Sequence, residues 1–347
     1  MGRSRFGLVM KVINDDKVGY LGEWKGERLK VVSRMLPYKG YIYCFTTTDN
    51  KIASLTKIKD PGFDNNASEI KKIESVKIEV RCGYLIDDLT RGGVNFSIAE
   101  DFVYIAEDGH DIIKIHVDNV KSDHPDTPEE VKCVVRWVAK WVVLCDGFVY
   151  YGTIHNEIKR ISFDGKVETD FKGNTTEITP TVFKNSNNAI WIYYKGVETY
   201  GLYAASDAGD LIRYKDQQIK STPFVTQFGV VYQGTNDYIF ITQLATERNP
   251  WVRQLGEHKT QTTPIVVAEY LKGKEELWVI YLGLDGYLYK VNYYNAKDFY
   301  RISNVSFNRI PAYHEYYFNP PPFVGSKLFY MPDKDGYARI GDWTGKE

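Results

Sequence analysis

Apolar and polar positions alternate with a period of two along most of this chain, in runs of roughly four to eight residues rich in Val, Ile, Tyr, Phe, Trp and Thr. That period belongs to strands. Helical periodicity is nearly absent, and only a patch such as Asp64 to Lys72 has room for a turn or two of helix. One phrase recurs: an aromatic strand, a turn of Asp, Asn or Gly, then a second alternating strand. It reads Tyr41-Ile-Tyr-Cys-Phe-Thr-Thr-Thr-Asp-Asn-Lys-Ile-Ala-Ser-Leu, then Phe102-Val-Tyr-Ile-Ala-Glu-Asp-Gly-His-Asp-Ile-Ile-Lys-Ile, then Phe148-Val-Tyr-Tyr-Gly-Thr-Ile-His-Asn-Glu-Ile-Lys-Arg-Ile. It returns from Val231, from Leu282 (Leu-Gly-Leu-Asp-Gly-Tyr-Leu-Tyr-Lys-Val) and from Tyr330. A hairpin repeated at intervals of roughly forty to sixty residues is the mark of a β-propeller.

A second phrase precedes several hairpins: Thr179-Pro-Thr-Val, Thr222-Pro-Phe-Val, Thr263-Pro-Ile-Val and Pro321-Pro-Phe-Val. Proline is tolerated at the first residue of a strand, so each phrase predicts the start of an innermost strand. Second strands near Ile42, Val103, Val149, Ile190, Val231, Trp278 and Phe329 predict an all-β, seven-bladed β-propeller in a single domain spanning 1–347, with its blades in 36–343. In blade four, Ile190–Tyr194 is preferred to Leu202–Ala205 as second strand, because the latter leaves little chain before the next blade. Residues 60–72 and 119–130 read as polar, turn-rich insertions. The last repeat stops after Tyr337–Trp343 with no fourth strand. Residues 1–35, with strand-like runs at Gly7–Ile13, Tyr20–Trp24 and Leu29–Val32, are expected to supply what is missing and close the ring.

Charge adds little. Lys plus Arg is 44, Asp plus Glu is 45 and the net charge is −1, which gives no general attraction to nucleic acid or to a membrane surface. No apolar run approaches the roughly 20 residues that span a bilayer. Lys11 and Asp15-Asp16 interrupt the N-terminal stretch, which is not read as a secretory signal. Cys44, Cys82, Cys133 and Cys145 are widely spaced with no Cys-x-x-Cys pair, and Cys44 and Cys145 fall in strand-like runs as buried free thiols. A reducing, cytoplasmic or other intracellular compartment is expected. The sequons at Asn66, Asn95, Asn174 and Asn304 matter only in a secretory pathway.

Thr-Pro-x-Val, an aromatic strand and then Asp-Gly-x-Leu-Tyr-x-Val resemble the repeat of quinoprotein-type (PQQ-like) propellers. The segment from Leu282 matches best, followed by Tyr203-Ala-Ala-Ser-Asp-Ala-Gly-Asp-Leu-Ile-Arg-Tyr, and the resemblance extends over most of residues 36–343. Catalytic members use vicinal cysteines and an Asp/Asn/Glu calcium site. This chain has no vicinal cysteines and lacks the family's regular blade-closing tryptophans. The resemblance therefore implies the non-catalytic members, which are scaffolds and binding modules, and no cofactor. WD-type signatures are absent, Asp342-Trp343 standing alone and in reversed order.

The chemistry-bearing residues point the same way. There is no Gly-x-Ser-x-Gly elbow, no His-Glu-x-x-His and no Cys/His cluster at ligand spacing. His110 and His155 occupy turns on one rim and read as solvated turn residues; Asp333-Lys-Asp-Gly lacks the other ligands of a calcium loop. Lys71, Lys72, Lys77 and Arg81 read as a charged edge that prevents aggregation. The 27 Tyr, 17 Phe and 7 Trp are more rings than blade cores require. In Tyr193-Tyr194 and Tyr293-Tyr294 one ring of each pair is expected at a surface. The longest aromatic and Pro-rich connection is 304–323, and it nominates Tyr313, His314, Tyr316, Tyr317 and Phe318 as a binding surface. The leading expectation is a non-catalytic platform for protein partners. A lectin-like propeller binding glycans and an enzyme with its site on the central axis are the alternatives.

Overall fold

A computed structural model describes residues 10–13, 17–20, 30–31, 33, 35–47, 53–59, 73–77, 95–106, 110–120, 132–139, 141–245, 250–271, 274–302, 323–324, 328–332 and 338–342. Most of them lie in short, mainly antiparallel strands. Blade two is Asn95–Ala99, Phe102–Ala106, His110–His116 and Lys132–Ala139. Blade three is Val142–Cys145, Phe148–Gly152, Glu157–Ser162 and Glu168–Thr175. Blade four is Thr181–Lys184, Ile190–Lys195, Gly201–Ser206 and Leu211–Gln218. Blade five is Phe224–Thr226, Gly229–Gln233, Tyr238–Thr242 and Val252–Lys259. Blade six is Ile265–Leu271, Lys274–Leu282, Leu288–Asn292 and Phe299–Arg301. In blade one both Lys30–Val31 and Leu36–Tyr38 pair with Tyr41–Thr47, followed by Ala53–Lys59 and Ile73–Lys77.

The inner strands of these six blades pack against one another in chain order. Each Thr-Pro phrase leads directly into one of them, and Ile190–Lys195 is the second strand of blade four, as the chain-length argument required.

A further sheet is composite. Phe323–Val324, Leu328–Pro332 and Ala338–Asp342 come from the end of the chain; Met10–Ile13 joins Ala338–Asp342 in parallel, and Lys17–Tyr20 pairs with Met10–Ile13. The expected seven-bladed ring is thereby corrected to six blades of continuous chain plus this composite sheet. Among the described residues this sheet takes three strands from the C-terminal repeat and two from the N-terminal segment. The N-terminal segment contributes strands to this sheet, as expected, in the form of the two-stranded hairpin Met10–Ile13 and Lys17–Tyr20. Its third expected strand goes elsewhere, with Lys30 and Val31 pairing with Thr47 and Thr46 in blade one.

The core lies between blades. Tyr43, Phe45 and Leu55 of blade one meet Phe96, Val103, Ile105 and Ile115 of blade two. Equivalent layers join blades two and three around Tyr104, Val142 and Tyr151, three and four around Trp141, Tyr150 and Ile192, four and five around Tyr193, Tyr214 and Tyr232, and five and six around Ile241, Leu255, Val279 and Tyr281. A second strand is covered on both sides, which is why Ile190–Lys195 is buried at every position. This corrects one expectation. Tyr193 and Tyr194 are both buried, one in each neighbouring layer, whereas Tyr293 is buried and Tyr294 is 67% exposed.

Basic residues on third strands reinforce these layers by lying over rings. The Arg160 guanidinium is 4.6 Å from the Phe148 ring, donates to the Tyr150 hydroxyl (3.2 Å) and faces Asp207 of the next blade (3.7 Å). Lys114 lies over Phe102 and donates to the Phe163 carbonyl of blade three (3.3 Å).

Candidate interaction face

Strand direction sorts the loops. Inner and third strands run one way, second and outer strands the other. The turns between second and third strands therefore share a face with the connections from each outer strand to the next inner strand. Hydrogen bonds tie the two sets together. Thr176 N donates to Asn156 O (2.7 Å), Thr260 N to Asp237 O (2.9 Å), and Gln261 Nε2 to Gly283 O (2.7 Å).

Each of the described second-to-third-strand turns on this face, those of blades three to six, is held by its own polar side chain. In blade three Thr153 Oγ1 accepts from His155 N and Glu157 N, both at 3.2 Å. In blade four Thr199 Oγ1 meets Tyr203 Oη at 2.9 Å. In blade five Gln233 Nε2 donates to Asp237 Oδ1 (2.9 Å), and Lys220 pairs with the same carboxylate at 2.9 Å. In blade six Asp285 accepts from Tyr287 N (3.1 Å) and the Tyr289 hydroxyl (2.6 Å). With backbone and short polar groups committed, apolar side chains project at the tips: Ile154 is 45% exposed, Tyr200 44% and Leu284 52%.

Nearer the axis, the Thr-Pro phrases bind blade to blade. Thr222 Oγ1 donates to Thr179 O (2.9 Å), and Thr181 Oγ1 donates to Pro223 O. Asn95 spans three blades: it opens the inner strand of blade two, accepts from Val142 N of blade three (3.0 Å), and donates to Thr179 Oγ1 at the start of blade four (2.9 Å). Nothing in the sequence marked Asn95 for this, because its partners are 47 and 84 residues away.

The nominated residues divide. Tyr313, His314, Tyr316, Tyr317 and Phe318 lie outside the described residues, as do Asp333–Gly336, Lys71, Lys72 and Arg81. His155 is exposed in its turn, whereas the His110 side chain is outside the described residues. Cys44 is fully buried and Cys145 partly so, both as free thiols, and burial pushes the Cys44 thiol up to about 12. Two sequons are committed to the fold: Asn95 is 8% exposed and bonded as above, and Asn174 accepts from the Tyr194 hydroxyl (2.5 Å). Among the described residues no three His, Cys, Asp or Glu side chains form a group able to hold a metal ion, and no helix is long and apolar enough to cross a membrane.

The exposed apolar tips were missed because a single apolar residue in a turn carries no periodic signal. Further exposed rings, Trp251, Tyr294, Phe299 and Tyr300, lie at the opposite face or on the outer strand of blade six.

No protein-family model and no curated protein matches the chain. Among solved structures it is similar to BamB from Moraxella catarrhalis, at 11% identity over 99% of this chain and 91% of that one, with a TM-score of 0.51. It is similar to virginiamycin B lyase from Staphylococcus aureus, at 14% identity over 89% and 96% of the two chains, TM-score 0.55. It is also similar to BBS1N, solved in complex with ARL6DN, at 12% identity over 97% of each chain, TM-score 0.54. At these identities the likeness shows the fold alone, an all-β propeller.

Proposed function

We propose that this chain is a non-catalytic propeller that serves as a protein-interaction platform, and that its working surface is the face of the second-to-third-strand turns. The observation carrying this reading is the placement of Ile154, Tyr200 and Leu284, large apolar side chains exposed on turns of one face that are fixed by their own hydrogen bonds. Apolar surface held out on rigid turns loses little entropy on association. The similarity in fold to BBS1N, a chain solved with a protein partner, supports the same class of function. The composite sheet closes the ring in this proposal and holds the platform rigid. The aromatic segment Tyr313–Phe318 is a second contact: the chain leaves blade six on the same face, where Ile302 N donates to Leu288 O (2.9 Å).

Affinity capture from the native source, run in parallel with wild type and with I154S/Y200S/L284S, tests the reading. A stoichiometric partner held by wild type and lost by the variant, at unchanged melting temperature, is the expected result. Retention of every captured protein by the variant rejects this face.

A further inference from the structure

The opposite face carries a feature that the platform does not use. Trp251, just before the outer strand of blade five, and Tyr294, in the third-to-outer-strand turn of blade six, are 46% and 67% exposed. Arg253 joins them. Its guanidinium lies 5.9 Å from the centre of the Trp251 ring and donates across the blade boundary to the carbonyls of Tyr293 (2.6 Å) and Tyr294 (3.4 Å). The two residues therefore belong to one surface at the junction of blades five and six, although their positions in the sequence are far apart.

Both aromatic residues are fixed by the fold. Trp251 N donates to Gln243 Oε1 (3.2 Å), and Trp251 O accepts from the Thr242 hydroxyl (2.6 Å). Tyr294 N donates to Asn292 Oδ1 (2.9 Å), and its ring packs edge to face on Tyr293 at 5.1 Å. Surface held in this way loses little freedom on binding. The polar groups beside the rings are donors. Trp251 N sets the orientation of the Gln243 amide and leaves its Nε2 as a donor without a partner among the described residues. Arg253 meets two carbonyls and a ring, and no carboxylate pairs with it among the described residues. In the adjoining turn Lys297 is exposed and Asp298 is half-buried, so the guanidinium leaves the junction with a surplus of positive charge.

We infer that this junction binds an acidic carbohydrate, with the C–H face of a sugar ring packed on Trp251 and Tyr294, its hydroxyls addressed by Gln243, and its carboxylate facing the Arg253 guanidinium. A pyranose presents an apolar face and a rim of hydroxyl groups, the complement of aromatic rings edged by donors. A carboxylate on that ring supplies the counter-charge that Arg253 lacks. The scale agrees with a small ligand: a stable protein interface draws on roughly 20–30 residues a side, whereas this surface is built on a few side chains of two blades. Its charge component makes binding weaken as salt is raised. The site is separate from the platform face and does not depend on it.

The test is an array of neutral, sialylated and uronate-bearing glycans probed with the fluorescently labelled full chain, followed by titration of the glycan that gives the strongest signal. Signal is expected on acidic glycans, falling as salt is raised, and W251A/Y294A is expected to lose at least about tenfold in affinity. Val167 and Leu211, exposed apolar residues of blades three and four, supply the control V167S/L211S, which is expected to bind as wild type does. A blank array, signal confined to neutral glycans, or undiminished binding by W251A/Y294A overturns the inference. Should the double variant melt low, Y294A alone decides, since the Tyr294 ring is the more exposed of the two. A protein captured by wild type and released by W251A/Y294A, with the array blank, would make the junction a protein contact and overturn the carbohydrate.

Discussion

Gly152 ends the second strand of blade three beneath the Trp141 indole. A Cβ there would meet Trp141 Nε1 at 2.2 Å, and Trp141 is 1% exposed, so the ring has nowhere to go. Gly152→Ala is expected to lower stability by about 1–3 kcal/mol in urea unfolding, the range for an overpacked core. A loss within error would show that the indole relocates. The buried tyrosines make a second residue-scale prediction. Burial holds the Tyr104, Tyr193 and Tyr293 phenols up to about 12, against about 10 in an unfolded chain. The folded-state values are raised and the protonated form is the neutral one. Stability from these groups is therefore complete below about pH 10, where neither state ionises, and falls as pH rises from 10 towards 12, because the unfolded chain releases phenolic protons that the folded chain retains. Urea midpoints are expected to be unaffected by these groups up to about pH 9.5 and to decline steeply above it, with phenolate absorbance appearing together with unfolding. Phenolate absorbance rising near pH 10 in the still-folded protein would contradict the burial of these rings.

At the scale of elements, the composite sheet is the informative one. Met10–Ile13 covers the edge of Ala338–Asp342, and Lys17–Tyr20 covers Met10–Ile13 in turn. Removing residues 1–20 leaves Ala338–Asp342 as an uncovered edge and cuts the connection between the two ends of the chain. The truncated protein is expected to melt at least about 5 °C lower and to self-associate more readily, measured by calorimetry and light scattering. Unchanged melting would show that the hairpin contributes nothing to closure. Most elements were legible in advance. Pro180, Pro223 and Pro264 each immediately precede or open the approach to an inner strand, because proline costs a ladder least at that position. The turns of Asp-Gly type stand where positive φ is needed, as at Asp146-Gly147, with φ of 50° and 79°. Partnership was less legible. Lys30–Val31 reads as a terminal closing strand, yet it pairs with Thr46 and Thr47, since a two-residue strand has no pattern that selects one edge over another.

For the whole molecule, alternation, paired turn residues and repeated hairpins determined an all-β propeller, because they are local signals: a period of two sets which side chains can share a face, and a turn's chemistry sets which strands are neighbours. The near-equal charge totals determined that no global field directs the protein to a polyanion. Tertiary structure alone decided the rest. Among the described residues it divided the repeats into six continuous blades and a composite sheet in which Met10–Ile13 pairs in parallel with Ala338–Asp342, a pairing between residues too far apart for any local pattern to record. It buried both Tyr193 and Tyr194, because a blade has a neighbour on each side. It also placed Ile154, Tyr200 and Leu284, each unremarkable in its own turn, on one face. Residues so far apart in sequence come to share a face only through the direction in which every strand runs, and no local pattern records that.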